Sequence, residues 1–365
     1  MSAAAHNQID ITLSLSGDTI AAVEVLPRAR LALAGLFSGK PTVSLLNALP
    51  RLFSLCATAH QVAFLSAVEA ARGEDINLAT RQHRIIVVVA ERLAELLRGL
   101  FVGHLALDFA STAAIRALMQ DASVLVGSAT AGSGTVRGEA TARVADKLAA
   151  FGLSNEGGAP TPGSPLARRI AELEKLALKP MPVQHSFLTV ADDRTIVEAA
   201  SVSDAGFYDC AGPQVDMPET GPWARHMTRN GLSLSRSGPA ERMKARIDEI
   251  VELCAWLKAG AHDEPAEDGT VEGYRLGPGR GAAAVECARG RLYHKVELDR
   301  HGKISRFEFL APTEWNFHPR GPLVRSLQGA VLTAGRRGQE AARAVIASFD
   351  PCVAFTVSFG SACDA

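Results

Sequence analysis

The chain has 365 residues, 47% of them apolar and 21% charged, which is ample for a buried core and excludes a disordered protein. Lysine and arginine number 38 against 39 acidic residues, so no overall field draws the molecule to nucleic acid or an acidic membrane. At roughly 150 residues per domain the length suits two domains or one large one.

The opening residues, MSAAAHNQID, offer neither a basic nor an apolar signal region. Stretch 84–102 (RIIVVVAERLAELLRGLFV) carries Glu91, Arg92, Glu95 and Arg98, whereas a bilayer span needs about 20 largely uncharged residues. A soluble cytoplasmic protein is expected, with no membrane or nucleic-acid partner.

In chain order, Ile9, Ile11, Leu13 and Leu15 alternate with polar residues, Gly17-Asp18 supplies a turn and TIAAVEV returns, predicting a hairpin. A short helix around Leu45–Asn47 breaks near Pro50. Leu55–Ala71 reads as a helix with Ser54 as N-cap, and Arg81–Phe109 as one long amphipathic helix or two in series. Gly127–Gly134 and Glu156–Ser164 are rich in small residues, and 127–164 is expected to be a loosely packed, flexible insert. Leu166–Leu178 is helical, and Glu241–Leu257 places Met243, Ile247, Ile250, Cys254 and Leu257 on one face. Gly281–Leu310 reads as strands, and a last helix over Leu323–Phe349 stops at Asp350-Pro351.

Common catalytic motifs fail. Gly277-Pro278-Gly279-Arg280-Gly281 lacks dinucleotide-loop spacing, the glycine-rich 127–134 lacks the Lys-Ser/Thr of a phosphate loop, and no serine sits in a nucleophile elbow. The six cysteines are Cys56, Cys210, Cys254, Cys287, Cys352 and Cys363, and no CxxC pair occurs, which removes zinc ribbons and thioredoxin-type centres. Cys254 and Cys287 read as core residues; Cys210 and Cys363 receive no role. Cys56 falls in a helix first turn, where the dipole favours a thiolate, with His60 on the same face.

Several segments together are more specific. Arg51-Leu-Phe-Ser-Leu-Cys56-Ala-Thr-Ala-His60 and Asp350-Pro351-Cys352-Val-Ala-Phe355-Thr-Val-Ser358 resemble the first and last cysteine elements of nickel–iron hydrogenase large subunits. Glu219–Arg225, Glu286–Gly290 and Pro312–Arg320 resemble that family's Gly-Pro-Leu-Ala-Arg, Ala-Pro-Arg-Gly and Pro-Thr-x-Trp-Asn stretches, in the same order. The resemblance implies an α+β fold over 1–365 as a single domain: a mainly helical core, an N-terminal β-hairpin, a second small β element at 281–310, and chain ends that meet.

The departures bear on function. Phe53 and Phe355 stand where the family has its first and fourth cysteines, leaving Cys56 at a bridging and Cys352 at a terminal position. Nickel needs several soft ligands in defined geometry, so no nickel is expected. Ser358 replaces a final histidine, and the seven residues after it are expected to stay unprocessed. Such a shell is similar to the HupK/HoxV group of hydrogenase accessory proteins. That resemblance implies a non-enzymatic scaffold whose Cys56 and Cys352 hold, transiently, an iron carrying cyanide and carbon monoxide. Arg289 would donate to the cyanides and His60 would orient a thiolate, while a part for Cys287 stays open. The implied partners are the accessory proteins that build the iron unit and the hydrogenase large subunit. The alternative is a metal-free interaction chaperone that mimics the large subunit.

Overall fold

A computed structural model describes residues 8–27, 33–102, 109–154, 158–176, 178, 186–202, 217–231, 238–260, 269–333 and 335–361. Cys210, Cys363 and most of the acidic loop after residue 260 lie outside them.

The hairpin forms as predicted. Strands β1 (Gln8–Ser16) and β2 (Thr19–Leu26) pair antiparallel, with Ile9, Ile11 and Leu13 buried on one face. Gly17, at φ +61°, makes the turn that an L side chain resists. After α1 (Leu33–Phe37), helix α2 (Thr42–Leu52) runs on past Pro50 to its last turn. Helix α3 (Ala57–Arg72) begins after Cys56, so Ser54 is not its N-cap. Its N-terminus is closed by Glu91 of α4 (Leu78–Leu97), whose carboxylate accepts from the Thr58 N–H at 2.6 Å and the Ala59 N–H at 2.8 Å. Burial raises the Glu91 pKa against the pull of those two bonds.

Helix α4 widens into a π turn over Arg98–Val102. Where a flexible insert is expected, the structure instead has α5 (Phe109–Thr130) and α6 (Gly134–Ala149), side by side. Leu118, Ala122, Leu125, Ala129, Ala140 and Val144 are fully buried there, and Asp121 accepts from Arg143 at 2.9 Å across the pair. The correction has a plain cause: alanine is the best helix former, and small side chains permit close helix packing. Among the described residues of this region, 131–133, 150–154 and 158–164 lie outside the helices, the last stretch ending in Ser164, which caps α7 (Pro165–Lys175).

Helices α8 (Asp193–Val202), α9 (Pro222–Asn230) and α10 (Pro239–Ala259) lead to an antiparallel meander. Its strands are β3 (Val271–Gly277), β4 (Arg280–Cys287), β5 (Gly290–Leu298) and β6 (Ile304–Leu310). Helix α3 lies directly on β4, and a Cβ at Gly281 would run into the backbone of Ala67 and Ala71. After α11 (Pro312–Asn316), the expected final helix over Leu323–Phe349 is two pieces, α12 (Pro322–Leu327) and α13 (Arg336–Ser348). Glycines 329 and 335, at φ +78° and +75°, lie between the last two.

A strand the sequence reading lacks closes the molecule. Strand β7 (Ala354–Ser361) lies parallel to β1, with Gln8 opposite Ala354 and Leu15 opposite Ser361. Ser358 is therefore mid-strand, and the two ends of the chain meet as expected. Among the described residues no helix is long and apolar enough to cross a membrane.

Candidate functional site

Three segments converge on one cavity of about 270 Å³. Its lining includes Phe53, Cys56 and His60 from the α2–α3 junction, Cys287 and Arg289 from the β4–β5 turn, and Thr313 and Cys352 from the C-terminal third. The sequence-predicted residues Cys56, Cys352, His60 and Arg289 are thus brought together, and Cys287 joins them.

Among the described residues, those other than glycine with positive φ are Cys56 (55°) and Asp350 (49°). Both lie at this meeting of the ends. Such backbone conformations persist where the surroundings enforce them and cluster at functional sites. Glu91 holds the chain just after Cys56, and Arg289 holds Asp350.

Arg289 is the central cation, 6% exposed. Its Nη1 lies 3.2 Å from Glu95 Oε2 and 3.6 Å from Cys56 Sγ, and its Nε donates to the Asp350 carbonyl at 3.1 Å. Burial opposes its charge, but Asp350, Cys56 and Glu95 outweigh burial and keep the guanidinium firmly protonated. The turn bearing it is pinned from behind by Arg225 of α9. That side chain donates to the carbonyls of Cys287 (3.3 Å) and Ala288 (3.1 Å) and pairs with Glu286 and Glu249.

Cys352 is half-buried, and the Thr313 hydroxyl clasps it, accepting from the Cys352 N–H at 3.1 Å and donating to its sulfur at 3.2 Å. Cys56 and Cys287 are buried and hydrogen-bonded to each other, and the Cys287 thiol also donates to the Gly290 carbonyl at 3.1 Å. They titrate as a pair. The first proton leaves below the ordinary thiol range, and the second is held well above it. The shared hydrogen bond, burial and the neighbouring charge all oppose a second thiolate. The simple helix-dipole expectation for Cys56 is therefore superseded: its sulfur makes no capping bond to the helix, and the neighbouring Cys287 sulfur and burial hold its proton.

His60 stacks on Phe53, with ring centroids 3.6 Å apart and an interplanar angle of 6°, and its Nδ1 lies 2.9 Å from His294 Nε2. Burial brings the His294 pKa from about 6.5 down to about 3, so it is neutral at physiological pH. Its Nδ1 has no hydrogen-bond partner among the described residues. A proton on Nε2, donated to His60 Nδ1, leaves an unpaired acceptor there in place of a costlier unpaired donor. His60 then carries its own proton on Nε2. The unfolded chain binds a proton at His294 below about pH 6.5 while the folded chain resists until about 3. Stability should therefore fall as pH drops through that window, with a slope approaching 1.4 kcal/mol per pH unit from this group. Acid titration of the urea midpoint checks this, and His294→Gln should flatten the slope.

The two phenylalanines at the cysteine-replacing positions diverge. Phe53 fills the site, whereas Phe355 lines a separate cavity with Arg246 and Met243. Sequence reasoning missed the parts of Glu95, Asp350, Thr313 and His294. The available signal was Glu91 and Glu95, one turn apart just after the apolar run Ile85–Ala90 of that helix.

Comparison with known proteins places this geometry. Residues 221–358 match a family model described as nickel-dependent hydrogenase. A hydrogenase expression/formation protein HupK of Bradyrhizobium diazoefficiens is 53% identical over 363 residues, covering 99% of each chain. The HupK of Rhizobium leguminosarum bv. viciae is 31% identical, covering 98% of this chain and 97% of that one. Among solved structures, an NAD+-reducing NiFe-hydrogenase in the H2-reduced state superposes with a TM-score of 0.62 at 13% identity, covering 92% of this chain and 93% of that one. The fold is that of a nickel–iron hydrogenase large subunit.

Proposed function

The chain belongs to the HupK family of hydrogenase expression/formation proteins, and from that premise we propose that it is a maturation scaffold for the iron part of the hydrogenase centre. Cys56 and Cys352 take up an iron carrying cyanide and carbon monoxide and release it to a hydrogenase large subunit, with no turnover by the scaffold. The observation that carries this reading is the convergence of Cys56, Cys352 and Arg289, from the two ends and the middle of the chain, on one cavity.

The donor set selects the kind of cargo. Among the described residues no three His, Cys, Asp or Glu side chains gather closely enough to enclose an ion. A bare transition metal would be held poorly by two sulfurs. An iron whose diatomic ligands already fill most of its coordination sphere needs only a pair of thiolates. Such a fragment is anionic at its cyanides, and Arg289 supplies a fixed guanidinium whose N–H groups suit anionic acceptors. Phe53, stacked over His60, occupies space that a further sulfur would otherwise have and keeps that side of the cavity apolar.

The cytoplasm is the compartment assigned in this reading, and the accessory proteins that assemble the iron unit would be the donors. Protein purified without oxygen, after co-production with those accessory proteins, should show infrared bands in the cyanide and carbonyl stretching region and contain iron without nickel. Iron-free protein from the same preparation would contradict the scaffold and favour a metal-free chaperone that imitates the large subunit.

A further inference from the structure

Cys287 has no part in the two-sulfur reading, yet it lies closer to the site than a core-filling residue needs to. It is 3% exposed, lines the same cavity as Cys56 and shares a hydrogen bond with it. The other described thiols are placed differently. Cys352 is engaged by the Thr313 hydroxyl, and Cys254 lines another cavity between α6 and α10. Both sulfurs of the Cys56–Cys287 pair sit on rigid supports. Cys287 ends β4, its carbonyl held by Arg225, and Cys56 is fixed in the left-handed conformation by the helix it starts. Two sulfurs in contact on such supports, open to a cavity large enough for small molecules and beside a guanidinium, form a built dithiol.

We propose that Cys56 and Cys287 form a reversible disulfide under peroxide, closing the site to metal until it is reduced. One sulfur of the pair, as thiolate, attacks a peroxide oxygen. The O–O bond breaks, hydroxide leaves and a sulfenic acid remains. The partner sulfur attacks the sulfenic sulfur and displaces its oxygen as water. Two thiols lose two electrons and two protons in all, and hydrogen peroxide becomes two waters. Arg289, beside Cys56 Sγ, favours the attacking thiolate, and the existing contact between the sulfurs means that little movement is needed for the second step. The bond consumes the Cys56 sulfur, so an oxidised chain has one sulfur, Cys352, for an incoming metal fragment. That last consequence rests on the scaffold reading; the disulfide itself does not.

The test uses the full chain without iron, reduced, freed of reductant under nitrogen and given one equivalent of hydrogen peroxide. Non-reducing peptide mapping should find the Cys56 and Cys287 peptides linked. Free thiols measured in denaturant should fall by two of the chain's six, and dithiothreitol should restore them. Cys352→Ser should form the same link, whereas Cys287→Ala should leave Cys56 unlinked. Full alkylation of both sulfurs after peroxide, or a map in which Cys56 is joined to Cys352, would overturn the proposal. These readouts stand whether or not the protein ever carries iron, so failure of the disulfide and failure of the scaffold reading are told apart.

Discussion

Arg291→Met should lower the free energy of unfolding by about 3–5 kcal/mol, the cost of leaving a buried charge without its partner. Arg291 is 1% exposed and Asp193 fully buried. The guanidinium donates to Asp193 Oδ1 at 2.8 Å, to the Gly269 carbonyl at 2.9 Å and to Glu286 at 3.2 Å. Tyr274 and Tyr293 each donate to the same aspartate at 2.8 Å. Burial already raises the Asp193 pKa against these partners, and without Arg291 the carboxylate would have only two phenols to stabilise it. A double variant, Arg291→Met with Asp193→Leu, should recover much of the loss, because removing both charges removes the desolvation penalty of each. Urea denaturation of the three proteins measures the effect. A single-variant cost below about 1 kcal/mol would mean that the pair is not dry, since exposed pairs fall in that range.

The second large effect belongs to Arg289. Its Nε bond to the Asp350 carbonyl and its approach to Cys56 join the C-terminal and N-terminal sulfur segments through one side chain. Arg289→Met should destabilise the fold by about 3 kcal/mol, because buried Glu95 loses its inward cation; Arg98, 3.4 Å away on the outer side, is half-exposed and compensates little. Arg289→Lys should restore part of that stability, since a point charge still answers Glu95. It should not restore iron retention, because an ammonium cannot reach Asp350, Glu95 and a guest together as a guanidinium fork does. Urea midpoints and iron content, measured on the same preparations, separate the two roles. Equal iron retention by the lysine and wild-type proteins would show that charge alone suffices.

What the sequence made legible follows from which interactions are local. Alternation in 9–15, the strand-like runs of 281–310 and the apolar face of 241–257 are properties of short windows, and each became the expected element. Strand β7 was not legible. It pairs with β1 across some 340 positions, and nothing local in residues 354–361 announces a parallel neighbour. The 127–164 region was misread because glycine, serine and alanine signify either flexibility or close helix packing, and only the buried faces of α5 and α6 decide between them. Among site residues, Cys56, Cys352, His60 and Arg289 were visible through ordered motifs. The Cys56–Cys287 contact, the Thr313 clasp and the Glu91 cap are tertiary: each needs two segments whose approach is set by packing elsewhere. Even Cys287, a strand-end thiol beside a motif arginine, read as core until β4 was seen to end against the start of α3.

A scaffold function requires two solitary sulfurs to hold one iron fragment between them. The most direct test compares Cys56→Ser, Cys352→Ser and Cys254→Ser with the unaltered chain, each co-produced with the accessory proteins and purified without oxygen. Infrared bands from bound cyanide and carbon monoxide, with matching iron content, should vanish in the first two variants and persist in the third. Bands retained in the first two, or lost equally in all three, would contradict it.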